Sequence, residues 1–216
     1  MFSTSQCLQI QQMKQLFAFF KELKMQVEKL NVEDKVSSAL TKAMKSGDSA
    51  RATGKYKIEC VGADCQVKWT LEPSNLVVNQ GLQDMNTKYF TGSTYTAAWY
   101  IGLYGAAASN NPLATDTAAT HPGFTEIVPY SNATRPACTF GTATTADPSV
   151  ISNSASPAAF NINATATVGG AFLISNNTKS GTSGVLFSAS DFAAPGDRTV
   201  ASGDVLNVTY TFSLDA

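Results

Sequence analysis

Apolar side chains recur at alternating spacings of three and four residues near the start of the chain. No Gly or Pro interrupts the first 46 positions. The six members of the stripe are Met13, Leu16, Phe20, Leu23, Val27 and Leu30. Such spacing is the a/d rhythm of a coiled coil. We therefore predict an N-terminal α-helical arm over residues 1–46. Its stripe packs either on its own domain or against a partner, as an oligomer interface or an anchor.

The period of the pattern changes after residue 46. Residues 47–54 are mostly small and polar, as is typical of a linker. Apolar residues then take every second position from Tyr56 to Cys60 and again from Cys65 to Leu71, with a Gly-Ala-Asp turn between the two runs. This pattern predicts a β-hairpin over residues 55–71.

Short apolar runs separated by turn residues fill the rest of the chain. One run, Asn79 to Phe90, has helical spacing and predicts a short helix. The others predict seven strands, at Ala98–Tyr104, Phe124–Val128, Ala137–Phe140, Ala158–Ile162, Ala164–Ser175, Gly184–Ser188 and Val205–Leu214. We therefore expect a mainly β protein, with an antiparallel, jelly-roll-like β-sandwich over residues 55–216 that follows the helical arm.

Charge is scarce and unevenly placed. The 216 residues hold 15 Lys and Arg and 16 Asp and Glu, a net charge of −1, so no basic excess favours nucleic acid as a partner. Residues 1–70 carry +4 and residues 71–216 carry −5, which supports a domain boundary near the predicted linker. The apolar runs are shorter than the about 20 residues that span a bilayer, so we expect no membrane span.

Residues that carry chemistry are few. The single histidine, His121, stands in a turn, and we expect it to be a loop residue rather than a catalytic one. Cys60 and Cys65 flank the predicted hairpin turn. We interpret them as small buried side chains, with a disulfide as the alternative, because the ligand spacing of a zinc site is missing.

The carboxylates do not form a recognisable catalytic pair. The carboxylates that could in principle supply such a pair are Asp84, Asp116, Glu126, Asp147, Asp191, Asp197 and Asp204. Most of them stand beside Gly, Pro, Ser or Thr, where turn formation is their ordinary role. Together with the single histidine, this leads us to expect a protein that is not an enzyme and that uses no cofactor and no metal.

Several ordered blocks carry a family resemblance. They are Asn75-Leu76-Val77-Val78-Asn79-Gln80-Gly81-Leu82, Trp99-Tyr100-Ile101-Gly102-Leu103, Tyr130-Ser131-Asn132-Ala133-Thr134-Arg135-Pro136, Gly170-Ala171-Phe172-Leu173, Gly184-Val185-Leu186-Phe187-Ser188 and the run from Val200 to Tyr210. Over about residues 55–214 the chain resembles a family of small virion structural proteins of tailed bacteriophages, of capsid decoration, head-fibre or tail-associated type. The first fifty residues lie outside this resemblance.

The resemblance implies a non-enzymatic virion component. Its partners would be other virion proteins, either the major capsid protein or tail proteins. The most direct expectation is a capsid decoration protein or head fibre, and the alternative is a tail-associated fibre or receptor-binding module that recognises a host surface glycan. From the arm, whose d positions are all Leu, we also predict a homotrimer.

Overall fold

The structure, a computed structural model, describes residues 50–73, 75–92, 98–105, 111–192 and 196–215. These ranges contain one helix, α1 (Asn79–Phe90), and the strands β1 (Arg51–Val61), β2 (Val67–Leu71), β3 (Leu76–Val77), β4 (Tyr100–Gly105), β5 (Glu126–Ile127), β6 (Ser149–Ser152), β7 (Ala158–Asn161), β8 (Ala166–Ile174), β9 (Leu186–Asp191), β10 (Arg198–Val200) and β11 (Val205–Asp215). The predicted arm, with Met13, Leu16, Phe20, Leu23, Val27 and Leu30, lies outside the described residues, and so does the start of the linker.

The strands form two antiparallel sheets. The first has the order β2-β1-β11-β6, and β7 also pairs with β11. The second has the order β3-β9-β8-β4-β5, and β10 also pairs with β8. β1 and β11 pair along their whole lengths, from Arg51 opposite Asp215 to Val61 opposite Val205. The expectation of a mainly β, sandwich-like protein is confirmed at this level.

Alternation in β1 and β11 explains why the sheets stack. Tyr56 and Ile58 in β1, and Val208 and Tyr210 in β11, point inward and are fully buried, while their neighbours in sequence are more exposed. A strand with one apolar face has to cover that face with a second layer. The second sheet supplies that layer, and its side chains join the same core: Ile101, Leu103, Ala171, Leu173 and Phe187.

The second sheet is covered on its other face too. A separate apolar cluster there includes Phe124 and Ala118 from the segment 111–125, together with Tyr104 and Phe172 from the sheet. β8 is therefore buried on both faces from Val168 onward. A strand in that position reads as a continuous apolar run rather than an alternating one.

Two aromatic rings lie directly over glycines of neighbouring strands on this covered face. Gly102 pairs with Phe172, and Gly170 pairs with Tyr104. A Cβ atom built on Gly102 would stand 2.1 Å from the Phe172 ring, and one on Gly170 would stand 1.9 Å from the Tyr104 ring. The two glycines leave room for the rings, which explains Gly102 in β4 and Gly170 in β8.

The predicted hairpin and short helix are confirmed. β1 and β2 pair antiparallel, and α1 covers Asn79–Phe90. β1 begins at Arg51, however, so residues 51–54 belong to the sheet rather than to the predicted linker. Residues 51–54 show little apolar alternation in the sequence. They form part of the strand because they continue its ladder of pairs with β11.

One predicted strand is wrong and three short strands are missed. The predicted strand Ala137–Phe140 is reduced to an isolated bridge between Tyr100 and Ala137. Two backbone hydrogen bonds hold it, from the Ile101 N–H to the Pro136 carbonyl and from the Cys138 N–H to the Trp99 carbonyl. β3, β6 and β10 have two to four residues each, too short to show a period.

A side chain fills the gap between β6 and β7. Both strands pair with β11, β6 near its end and β7 near its start, and residues 153–157 bulge out between them. Asn153, 1% exposed, bridges the opening: its Nδ2 donates to the Val208 carbonyl at 3.2 Å, and its Oδ1 accepts from the Tyr210 N–H at 2.7 Å. The amide thus replaces the missing strand pairing.

Candidate functional site

An open cleft lies between the two sheets beside α1. Its volume is about 430 Å³. We call it the aromatic cleft, because its wall includes the rings of Trp99, Phe140, Phe187, Tyr210 and Phe212. Helix α1 contributes Asp84, Met85 and Lys88 to its rim.

The rings of the cleft touch one another edge to face. The centroids of Trp99 and Phe187 are 5.3 Å apart, and those of Phe187 and Phe212 are 5.4 Å apart. Phe140 meets Tyr210 at 6.2 Å. This tilted geometry is the favoured arrangement of aromatic pairs, so the wall is a packed surface rather than a set of loose side chains.

Local sequence patterns place these residues together. Alternation along β11 turns both Tyr210 and Phe212 toward the second sheet. In α1, Asp84 and Lys88 are four residues apart and so share one side of the helix with Met85. Trp99, Phe140 and Phe212 remain half-buried, so part of each ring faces the open cleft.

The cleft has the chemistry of a binding site for an apolar or aromatic group. Sites for such groups are concave, have volumes of about 300–1,000 Å³ and carry a few polar residues at the edge. Here the rim carries one carboxylate and one ammonium group, and Met85 supplies an adaptable side chain between them.

A buried ion pair organises the loops at another place. Arg135 is 2% exposed, and its Nε and Nη2 donate to the two carboxylate oxygens of Glu126 at 2.9 and 2.6 Å. The guanidinium also donates to the carbonyls of Asn176 and Gly181. Removing one member of such a pair costs about 3–5 kcal/mol, because the other charge is left buried. The pair joins the segment 126–135 to the loop after β8.

A second buried carboxylate holds the turn before β11. Asp204 is 3% exposed and accepts hydrogen bonds from Lys68 Nζ at 2.9 Å and from the Ala201 N–H at 2.9 Å. The Cys60 thiol also faces it, at 3.6 Å. Burial, with the nearby Asp204 charge, raises the pKa of Cys60 to about 11, so the thiol is protonated and unreactive at neutral pH.

Tyrosine hydroxyls in the core serve the fold as well. Tyr56 is fully buried, and its hydroxyl lies 2.9 Å from the Ser188 hydroxyl across the two sheets. Burial is the main reason that the pKa of Tyr56 lies well above its ordinary value, and the nearby Tyr210 adds to it. The phenol therefore stays neutral and links the two sheets.

The structure places the predicted chemistry-bearing residues apart from one another. His121 stacks on Phe124 at 4.4 Å, and its Nδ1 donates to the Phe124 carbonyl, as fits a loop residue. Cys60 is buried as predicted, but Cys65 is exposed because it lies in the turn with φ +61° rather than in β2. Within the described ranges, no group of three or more His, Cys, Asp and Glu side chains is placed to hold a metal ion.

The carboxylates divide between turns and ion pairs. Asp116 accepts from the Leu113 N–H at 2.8 Å and Asp204 accepts from Ala201, which confirms the turn role for both. Glu126 departs from that prediction, because it is the partner of Arg135. None of the described residues forms a helix long and apolar enough to cross a membrane.

Sequence reasoning missed the aromatic cleft, the Asn153 bridge and the Arg135–Glu126 pair. The cleft draws its residues from seven separate parts of the chain, and no local pattern joins them. Arg135 did offer a signal, since it is one of four Lys and Arg residues after position 70. In a segment with so few cations, each one is a candidate for a structural ion pair.

Comparison with known proteins adds no relative. No protein-family model matches the chain, and neither the curated proteins nor the solved structures contain a significant match.

Proposed function

We propose that this chain is a non-enzymatic structural protein of a bacteriophage particle, most specifically a capsid decoration protein or a head fibre. One part of the chain attaches to the particle and the sandwich is exposed on it. The observation that carries the proposal is the use of buried charge. Arg135 and Asp204 are buried, the Glu126 side chain is 6% exposed, and each is bound to groups of its own fold. The sequence resemblance over about residues 55–214 is the reason for proposing that the particle is a bacteriophage virion.

The jelly-roll-like description belongs to this proposal. Among the described strands the chain crosses between the sheets four times: β1 and β2 lie in the first sheet, β3 to β5 in the second, β6 and β7 in the first, β8 to β10 in the second and β11 in the first. Such crossings are typical of Greek-key sandwiches. Virion exteriors use sandwiches of this kind, and this supports a location in the virion.

The arm is the proposed anchor. Residues 1–46 carry +3 and residues 47–216 carry −4, so the arm and the rest of the chain differ in sign. We propose that the arm contacts the major capsid protein or a tail protein, through Met13, Leu16, Phe20, Leu23, Val27 and Leu30. Co-pelleting with particles that lack the protein tests this. Saturable binding that disappears when residues 1–46 are deleted supports the arm as the anchor, and binding that survives the deletion moves the anchor to the sandwich.

The proposed homotrimer depends on the same stripe. Leu23 occupies a central d position, so Leu23→Asp places a carboxylate in an apolar seam and should cost several kcal/mol per assembly. We expect the variant to sediment as a smaller species than the wild type at equal concentration. Glu22→Asp, one position away and outside the stripe, is the matched control and should sediment like the wild type. A wild-type monomer would contradict the proposed trimer.

The second candidate is a tail-associated fibre or receptor-binding module for a host surface glycan. The observation that favours it is the half-buried rings at the mouth of the aromatic cleft. Copy number separates the two candidates: a decoration protein is present in hundreds of copies per particle, and a tail fibre in a few dozen at most. Quantitative mass spectrometry of purified virions gives this number. Turnover of a host polysaccharide by the purified protein, with no binding to particles, would overturn both.

A further inference from the structure

Two adjacent aromatic side chains project from the end of α1. Tyr89 is 82% exposed and Phe90 is 77% exposed, the highest values among the large apolar side chains that the structure describes. Their ring centroids are 4.9 Å apart in an edge-to-face contact, so the two rings form one unit, which we call the aromatic knob. Single exposed apolar residues are common on protein surfaces, but two packed rings in water point to a partner.

The aromatic cleft is the complementary feature. Its volume of about 430 Å³ is open to solvent and is large enough to receive aromatic rings. Its wall shows ring edges and faces from Trp99, Phe140 and Phe212, and aromatic pairs gain from such contacts beyond the area they bury. A group that carries aromatic rings therefore suits the cleft, and this chain displays such a group itself.

The knob and the cleft are neighbours on one helix. Lys88 lines the cleft, and Tyr89 is the next residue. When a projection and a recess lie side by side, a two-fold axis beside them brings each projection to the recess of the other copy. The rim of the cleft carries one residue of each charge, Asp84 and Lys88.

We propose that two copies of this chain pair through α1, each inserting its Tyr89–Phe90 knob into the aromatic cleft of the other. Buried aromatic side chains remove about 150–250 Å² each, so four rings account for on the order of 600–1,000 Å² before the walls of the clefts are added. Stable interfaces bury about 1,200–2,000 Å². The pairing therefore lies at the small end of this range and depends on concentration.

The first experiment compares full-length proteins by sedimentation from 1 to 200 µM. The wild type should reach at least twice the mass of the Tyr89→Ser/Phe90→Ser variant at the upper end, because the pairing joins two or more copies of whatever assembly the arm gives to both. Because both side chains are exposed, the variant should keep its thermal unfolding transition. Leu113→Ser, at a side chain that is 43% exposed outside the cleft, is the matched control and should follow the wild type. Equal masses for the wild type and the knob variant at every concentration would overturn the proposal.

The second experiment reads the cleft directly. The chain has two tryptophans, and Trp69→Phe leaves Trp99 in the cleft as the single reporter. Its fluorescence should shift to shorter wavelength as the concentration rises, and the shift should vanish when the knob variant is combined with Trp69→Phe. A signal that is independent of protein concentration, and that instead responds to oligosaccharide released from bacterial lipopolysaccharide, would assign the cleft to a glycan and overturn the pairing.

Discussion

Asn153 shows how one buried side chain can stand in for a missing piece of strand. Replacing it with Ala leaves the Val208 carbonyl and the Tyr210 N–H buried without the bonds the amide supplies. Each such loss costs about 1–3 kcal/mol, so we expect Asn153→Ala to lower the free energy of unfolding by about 2–5 kcal/mol in urea titrations. Ser154→Ala, at the exposed next position, is the control. A loss below about 1 kcal/mol would show that water takes over the role of the amide.

The buried carboxyl of Asp204 makes the stability of the fold depend on pH. Desolvation by burial would raise its pKa, but the bonds from Lys68, Ala201 and Cys60 outweigh burial and hold the pKa of this carboxyl below its ordinary value. A carboxyl with a lowered pKa stabilises the fold above its unfolded pKa of about 3.9, and this contribution is lost as the pH falls through the folded value.

We therefore predict that Asp204→Asn is less stable than the wild type at pH 7 and loses less stability on acidification from about pH 5 to about pH 2. Lys68→Met, which removes the chief partner, should move the acid-induced loss to higher pH. Thermal unfolding followed across this pH range measures both effects. Parallel curves for the wild type and Asp204→Asn would contradict the assignment.

At the scale of elements, α1 is positioned by close contact rather than by propensity. The Gln80 side chain accepts hydrogen bonds from the Ala118 and Leu186 N–H groups, which ties the first turn of the helix to its surroundings. A Cβ atom built on Gly81 would stand 2.5 Å from the Phe187 carbonyl oxygen and 2.9 Å from its Cα. The absent side chain lets the helix approach the backbone of β9.

This contact reverses the usual sign of a glycine-to-alanine change. In an open helix the change stabilises by about 1 kcal/mol. We expect Gly81→Ala to destabilise by about 1–3 kcal/mol instead, because backbone atoms have to move. Thr87→Ala, at an exposed position of the same helix, should stabilise by a few tenths of a kcal/mol. Chemical denaturation measures both, and a stabilised Gly81→Ala would show that the helix can shift without loss.

Elements with a strong local period were predictable from the sequence. The hairpin, α1 and the alternation of β11 all follow from side chains within a dozen residues. β3, β6 and β10 were not, because strands of two to four residues exist only through their pairing with longer ones. The aromatic cleft was out of reach because it depends on distant segments meeting in the fold. Glu126 and Arg135 are only nine residues apart, but the Asn176 and Gly181 carbonyls that also bind the guanidinium come from the distant loop after β8.

At the scale of the whole molecule, the pairing of β1 with β11 fixes where the sandwich starts. Residues 51–54 pair with residues 212–215, and Gly54 makes room for the Tyr210 hydroxyl. We expect a chain of residues 50–216 to unfold cooperatively and a chain of residues 55–216 to melt at a lower temperature, because it loses four ladder positions. Differential scanning calorimetry compares the two. Equal melting temperatures would restore residues 51–54 to the predicted linker.

The interrupted β6–β7 edge has a consequence for crowded assemblies. An unbroken outer strand is a template on which a neighbouring chain can add a strand of its own, and repeated addition leads to aggregation. Here the bulge at residues 153–157 divides that edge into two four-residue pieces, and the edge strands of the other sheet, β3 and β5, have two residues each. These edges thus offer little template to a neighbouring copy, and β2, with five residues, is the longest edge strand that the structure describes.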